Sequence, residues 1–82
     1  MSWVFFVLWK GEYMRETKFP ELVGEIAKHG ETQTKIANML GISNNALWRR
    51  LTGRTEWTIN EIDILCEHYN RNYHELFKRK ID

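Results

Sequence analysis

The pattern of apolar positions predicts a first helix close to residue 20. Side chains spaced by three and four residues form one face of an amphipathic helix; they are Phe19, Leu22, Val23, Ile26 and Ala27. Pro20 suits the first turn of a helix, where its missing N–H is not needed. Gly30 suits the position just beyond the end. The sequence therefore predicts a helix that begins near Pro20 and ends before Gly30.

Two more helices follow, each preceded by a residue that can cap an amino terminus. Thr32 can cap the second helix, and Gly41 can end it. The apolar side of this helix consists of Ile36, Ala37, Met39 and Leu40. Ser43 can cap the third helix, which Gly53 ends.

The rest of the chain predicts a fourth helix and a short fifth one. Thr58 and Glu61 have the spacing of a capping box, and Trp57 stands where a hydrophobic staple packs on the core. The residues expected to be buried in the fourth helix are Ile59, Ile62, Leu65, Cys66 and Tyr69. Asn72 can cap the last helix, which carries Tyr73, Leu76 and Phe77. Five short helices with short connections predict a compact all-α domain.

The amino-terminal stretch MSWVFFVLW is apolar but has no helical periodicity. It is too short for a membrane span and lacks the cationic start of a signal peptide. We expect residues 1–13 to be a leader, translated from upstream sequence, and residues 14–82 to be the domain, because Met14 can serve as a start. Lys10-Gly11-Glu12 can be encoded by a purine-rich run that resembles a bacterial ribosome-binding site. The competing interpretation is an alternating strand that pairs with another chain, formed by Trp3, Phe5, Val7 and Trp9.

Composition narrows the class of protein. A chain of 82 residues suits one domain with one core. The single cysteine excludes an intramolecular disulfide, and no Cys/His cluster has the spacing of a zinc site. No nucleophile–base pair or phosphate-binding glycine loop is present. We therefore expect no enzymatic activity, no cofactor or metal, no small-molecule ligand and no membrane partner, in a protein of the bacterial or phage-infected cytoplasm.

The distribution of charge is more informative than the net charge of +1. None of the eleven acidic residues falls between residues 32 and 55, a stretch that contains Lys35, Arg49, Arg50 and Arg54. A nearly neutral chain with one acid-free, basic stretch can still present a cationic face to a polyanion. The alternative is chance clustering on a solvated surface.

Helical geometry divides the side chains of the third helix into a buried and an exposed side. At about 100° per residue, Leu47 and Leu51 lie within about 40° of each other and define the buried side. Asn45 and Arg49 lie roughly opposite, at about 160° and 200° from Leu47. Trp48 lies on the shoulder, at about 100°.

Two further side chains of this helix complete the predicted face. Asn44 stands near the amino-terminal end, and Arg50 is expected to flank the buried side and to extend past it into solvent. Asn can pair with adenine, Arg can pair with guanine, and an apolar surface can contact a thymine methyl. The three-residue connection Gly41-Ile42-Ser43 has the length and the glycine of a helix-turn-helix.

The segment TQTKIANMLGISNNALWRRLTGRTEWT resembles the phage repressor/Cro-type helix-turn-helix proteins, also called the XRE family. The matching features are the Thr-Gln that opens the second helix, Ile36-Ala37, Gly41-Ile42-Ser43, Leu47 and the LTGR exit. The resemblance spans roughly residues 19–77 and implies a five-helix, lambda-repressor-like domain.

This resemblance also implies roles for individual residues. Gln33 would contact a phosphate at the start of the second helix, and Arg54 would contact the DNA backbone after the third. Asn44, Asn45 and Arg49 would occupy the base-contacting positions. Arg50 is expected to contact a phosphate as well. Trp48 is bulkier than the small or polar residue that the family pattern has there; it either contacts DNA or packs against the second helix.

Together these features predict a sequence-specific regulator of transcription, a repressor of phage or mobile-element type. It would bind double-stranded DNA at a palindromic operator as a homodimer, with helix 44–52 in the major groove. The alternative is a protein-interaction or antitoxin-like module on the same fold. The acid-free basic face favours the first interpretation.

Overall fold

A computed structural model of the chain describes residues 17–80. Within this range no strand occurs, and the helices are α1 (Pro20–Lys28), α2 (Gln33–Leu40), α3 (Asn44–Leu51), α4 (Ile59–Tyr69) and α5 (Tyr73–Leu76). The predicted all-α class and the five helices are therefore confirmed. The predicted leader, residues 1–13, lies outside the described residues, so both interpretations of it stay predictions.

Each of the helices α2 to α5 begins after the residue that the sequence predicts as its cap. The side chains of Thr32, Ser43 and Asn72 each accept a hydrogen bond from the backbone N–H three residues later, over 2.9 to 3.1 Å. Thr58 and Glu61 form a complete capping box, in which each side chain accepts from the other's backbone N–H. These bonds satisfy backbone donors that have no partner inside a helix, and they fix where each helix starts.

Gly41 ends α2 in the left-handed conformation, with φ +73° and ψ 31°. This conformation lets the Ile42 N–H donate to the carbonyl oxygen of Ala37 over 2.9 Å. The chain thereby turns sharply from α2 towards α3 within three residues.

We expect Gly41→Ala to lower the free energy of unfolding by about 1–2 kcal/mol, because an L-residue is strained in the left-handed region. A Cβ atom at this position would meet nothing within 4 Å, so the loss would come from the backbone and not from crowding. Gly24→Ala is the matched control, since its Cβ would also meet nothing within 4 Å and alanine favours the helix there. Urea denaturation checks both variants; equal midpoints would contradict the left-handed turn.

One hydrophobic core joins all five helices. Its buried members are Phe19, Leu22, Val23, Ile26, Ile36, Ala37, Leu40, Leu47, Leu51, Leu65, Tyr69, Leu76 and Phe77. Ile62, Cys66 and Trp57 are half-buried and pack against this core. The Trp57 ring lies edge-on to Phe77, with the centroids 5.2 Å apart. Burial raises the pKa of the Cys66 thiol.

The expectation that Ile59 is buried is wrong, because 79% of this residue is exposed. Ile59 is the first residue of α4 and lies about 120° around the helix from the buried Leu65. The position that faces inward in the first turn is instead taken by Glu61, which is 5% exposed. Tyr73, in the first turn of α5, is also largely exposed.

A buried carboxylate connects the start of α2 to the end of α4. The Tyr69 hydroxyl donates to Oε1 of Glu31 over 2.5 Å, and His68 Nε2 lies 2.7 Å from Oε2. Burial by itself would raise the pKa of Glu31, but these hydrogen bonds outweigh it and lower the pKa. The carboxylate thus holds together two segments more than thirty residues apart in the sequence.

No helix within the described range is long and apolar enough to cross a membrane.

Candidate nucleic-acid interface

The interface predicted from sequence lies on the α2–turn–α3 unit. Ile36 and Leu40 of α2 and Leu47 of α3 are buried together in the core. Only three residues separate Leu40, the last residue of α2, from Asn44, the first of α3. The two helices are therefore held as one rigid unit, and their outward sides form a continuous surface.

The predicted orientation of α3 is confirmed. Leu47 and Leu51 are fully buried, whereas Asn45 and Arg49 are exposed on the opposite side. Trp48 is half-buried and packs against the core, as expected for a shoulder position. Because α3 is short, two inward leucines one turn apart fix its rotation.

Gln33 and Asn44 meet, although eleven residues separate them. Gln33 Nε2 donates to the backbone oxygen of Asn44 over 3.1 Å. In return, Asn44 Nδ2 donates to Oγ1 of Thr34 over 3.2 Å. These two bonds join the first turns of α2 and α3, and they orient both amide side chains at the same end of the unit.

The structure corrects the expectation that Arg50 extends into solvent. Only 15% of its side chain is exposed, and its Nε donates to Oε1 of Glu61 over 2.8 Å. Its Nη1 also donates to the carbonyl oxygen of Ala46 over 3.2 Å. Glu61 accepts at the same time from the Thr58 N–H, as part of the capping box. Arg50 therefore links α3 to α4, and its charge is balanced inside the fold.

Two cations remain unpaired on the acid-free stretch. Lys35 lies 3.4 Å from the carboxylate of Glu31, and Arg50 is paired with Glu61. Among residues 17–80, no acidic group lies within ion-pair distance of Arg49 or Arg54. The cationic character of this face is thus concentrated on α3 and on the turn that follows it.

Trp48 and Arg54 form a contact that sequence analysis did not predict. The guanidinium carbon of Arg54 lies 4.4 Å from the centroid of the Trp48 ring, the geometry of a cation–π interaction. The backbone N–H groups of Arg54 and Thr55 both donate to the carbonyl oxygen of Arg49, over 2.8 and 3.1 Å. The chain folds back at Gly53, where φ is +81°. Only this turn brings two residues six positions apart into contact.

The described part of the chain contains no cluster of side chains suited to bind a metal ion. Within residues 17–80, no group of three or more His, Cys, Asp and Glu side chains is arranged to hold a metal ion.

A family model described as the BetR domain matches residues 22–81 of the chain. The match spans α2 to α5 completely and all but the first two residues of α1. It suggests a DNA-binding regulatory role for a small helical domain of the repressor-like helix-turn-helix type, and it does not identify the Cro or XRE proteins specifically. Comparisons with curated proteins and with solved structures found no match.

Proposed function

Because the chain belongs to the BetR domain family, we propose that it is a sequence-specific DNA-binding regulator of transcription, a repressor of phage or mobile-element type. In this proposal, α3 enters the major groove of double-stranded DNA. The observation that carries it is the division of α3 into two sides. Leu47 and Leu51 are buried, and Asn45 and Arg49 are exposed.

The chemistry of the exposed side matches the edges of base pairs. Arg49 presents a planar guanidinium that can donate two hydrogen bonds to O6 and N7 of a guanine. Asn44 and Asn45 each present an amide that can pair with N6 and N7 of an adenine. All three lie on one short helix that is fixed to α2, so their spacing is preserved when they meet a groove.

The surrounding groups suit the phosphate backbone. Gln33 stands at the amino terminus of α2, where unpaired N–H groups and the helix dipole favour an anion. Arg54 lies at the other end of α3, and its guanidinium is held against Trp48. In this proposal Trp48 lies at the edge of the groove, against a sugar or a thymine methyl. Arg50 does not take part, because it is paired with Glu61.

A homodimer on a palindromic operator is part of the same proposal. Two-fold related α3 helices would contact half-sites about one helical turn apart, ~34 Å. Ile59 and Tyr73 are the large apolar side chains exposed in the described range, and they offer surface for a second protein chain. The same surface would serve the alternative function, a protein-interaction or antitoxin-like module. The exposed Arg49 and Arg54 favour DNA, because a duplex is a dense polyanion that attracts guanidinium groups with no carboxylate partner.

Selection from a random pool of duplex DNA, followed by titration of the selected site, tests the proposal. We expect a defined consensus and strong salt dependence, with log K against log[salt] falling with a slope of about −4 per protomer for four or five phosphates. Arg49→Ala should weaken binding to the selected site by about 1–3 kcal/mol and relax the preference at one base pair. Arg54→Ala should weaken binding to all sequences alike and reduce the slope by about one unit.

Glu67→Ala is the control, because Glu67 is exposed on α4 and takes no part in the proposed face. A folded protein that binds no duplex at low salt would contradict the function. If Arg49→Ala leaves the selected sequence unchanged, α3 does not contact the bases, and the interaction-module alternative is favoured.

A further inference from the structure

The carboxyl-terminal segment is attached to the end of α3 through residue 18. The Lys18 N–H donates to the carbonyl oxygen of Leu51 over 2.8 Å, and the Lys80 N–H donates to the carbonyl oxygen of Lys18 over 2.8 Å. Two consecutive backbone hydrogen bonds thus connect Leu51, Lys18 and Lys80, which are far apart in the sequence, at the carboxyl-terminal end of α3. The basic run Lys78-Arg79-Lys80 consequently lies beside the proposed DNA-contacting unit.

Gly53 shows how close this approach is. A Cβ atom added at Gly53 would lie 2.9 Å from Cγ of Lys18 and 3.2 Å from Nη2 of Arg79. The two side chains therefore lie directly over the backbone that precedes Arg54. Only a residue without a side chain leaves room for them there.

The position of Arg79 is fixed by an aromatic ring. Its guanidinium carbon lies 5.4 Å from the ring centroid of the buried Phe19, within the range of a cation–π contact. Lys78, Arg79 and Lys80 are exposed, and within residues 17–80 no ion pair joins them to an acid. Glu21 lines the same shallow groove as these three residues, but its carboxylate lies 3.4 Å from Arg71.

We propose that Lys78, Arg79 and Lys80, which we call the second basic patch, contact the phosphate backbone of the bound duplex. The patch continues the cationic surface of Arg54 past the end of α3. This inference rests on the proposed function, and it adds backbone contacts that no motif in the sequence indicates. Such contacts carry no base preference; they contribute affinity and fix the protein's orientation on the duplex.

The test compares four variants in salt titrations on the selected duplex and on an unrelated duplex. Arg79→Gln and Lys80→Gln each remove one charge from the patch. Arg79→Lys keeps the charge. Lys28→Gln removes one charge from the opposite end of α1, where the Lys28 side chain is 71% exposed, and serves as the matched control. Circular dichroism melts of each free protein show that it is folded.

We expect Arg79→Gln and Lys80→Gln to weaken binding to both duplexes alike. Each should make the slope of log K against log[salt] shallower by about 0.9. If variant and parent bind equally at about 1 M salt, the variant then binds roughly eightfold more weakly than the parent at about 0.1 M salt. Arg79→Lys and Lys28→Gln should keep the slope of the parent. Lys80→Gln leaves the contact between Arg79 and Phe19 intact, so it tests the patch even if Arg79→Gln is unstable.

The outcomes separate this inference from the function on which it rests. If the parent protein binds neither duplex, the proposed function and this inference are both overturned. If the parent binds with the expected salt dependence while Arg79→Gln and Lys80→Gln keep its affinity and slope, only the second basic patch is rejected. A change of the preferred sequence in either variant would likewise overturn the assignment to phosphates.

Discussion

Leu47→Ala is expected to lower the free energy of unfolding by about 2–4 kcal/mol, because it removes buried methyl groups and leaves a cavity. Leu47 is fully buried in the core between α2 and α3. It is also one of the two leucines that fix the rotation of α3, so the loss would loosen the support of Asn45 and Arg49. Urea denaturation of parent and variant, monitored by circular dichroism, measures the change.

Asn45→Ala is the matched control, since it truncates a side chain two positions away on the exposed side of the same helix. Substitutions at such positions usually change stability by less than about 0.5 kcal/mol. Equal midpoints for Leu47→Ala and the parent would mean that the helix is rotated from the orientation described, and that Asn45 and Arg49 do not share the outward surface.

Glu61→Ala should destabilise the domain by about 2–3 kcal/mol. One part of this loss is the capping box, worth about 1 kcal/mol. The larger part is the Arg50 guanidinium, which would remain in a position where only 15% of its side chain is exposed, with no carboxylate to balance it. Glu67→Ala, on the exposed side of α4, is the control for replacing a glutamate in this helix.

The double variant Arg50→Met/Glu61→Ala distinguishes the two contributions. If the unpaired charge dominates, removing both partners should recover part of the stability lost in Glu61→Ala, because an apolar side chain can occupy the place of Arg50. Additive losses in the double variant would show instead that Arg50 and Glu61 act independently. In that case Arg50 would again be a candidate for contact with DNA.

The sequence by itself determined where four of the helices begin and where α2 ends. Thr32, Ser43, Thr58 and Asn72 cap their helices as predicted, and Gly41 ends α2 in the left-handed conformation. A cap or a glycine stop depends on bonds within about four residues, so a local stretch of sequence contains all the information required.

The rotation of α3 was also predictable from sequence. Leu47 and Leu51 are the apolar pair one turn apart in an otherwise polar helix, and both are buried. The exposure of Asn45 and Arg49 follows from their angular distance from this pair. The sequence alone therefore identifies the side of α3 that is proposed to contact the bases.

Only the tertiary structure decided which charged side chains are paired and which are exposed. Arg50 is balanced by Glu61, which comes from α4 and lies outside the acid-free stretch. Glu61, and not the expected Ile59, takes the inward position in the first turn of α4. Its pairing with Arg50 removes one cation from the proposed DNA-contacting surface. Arg79 reaches Gly53 through contacts that span the chain. Periodicity states which side of a helix faces inward, but a charge is neutralised or exposed according to which distant residue packs against it, and that depends on how the helices are arranged in space.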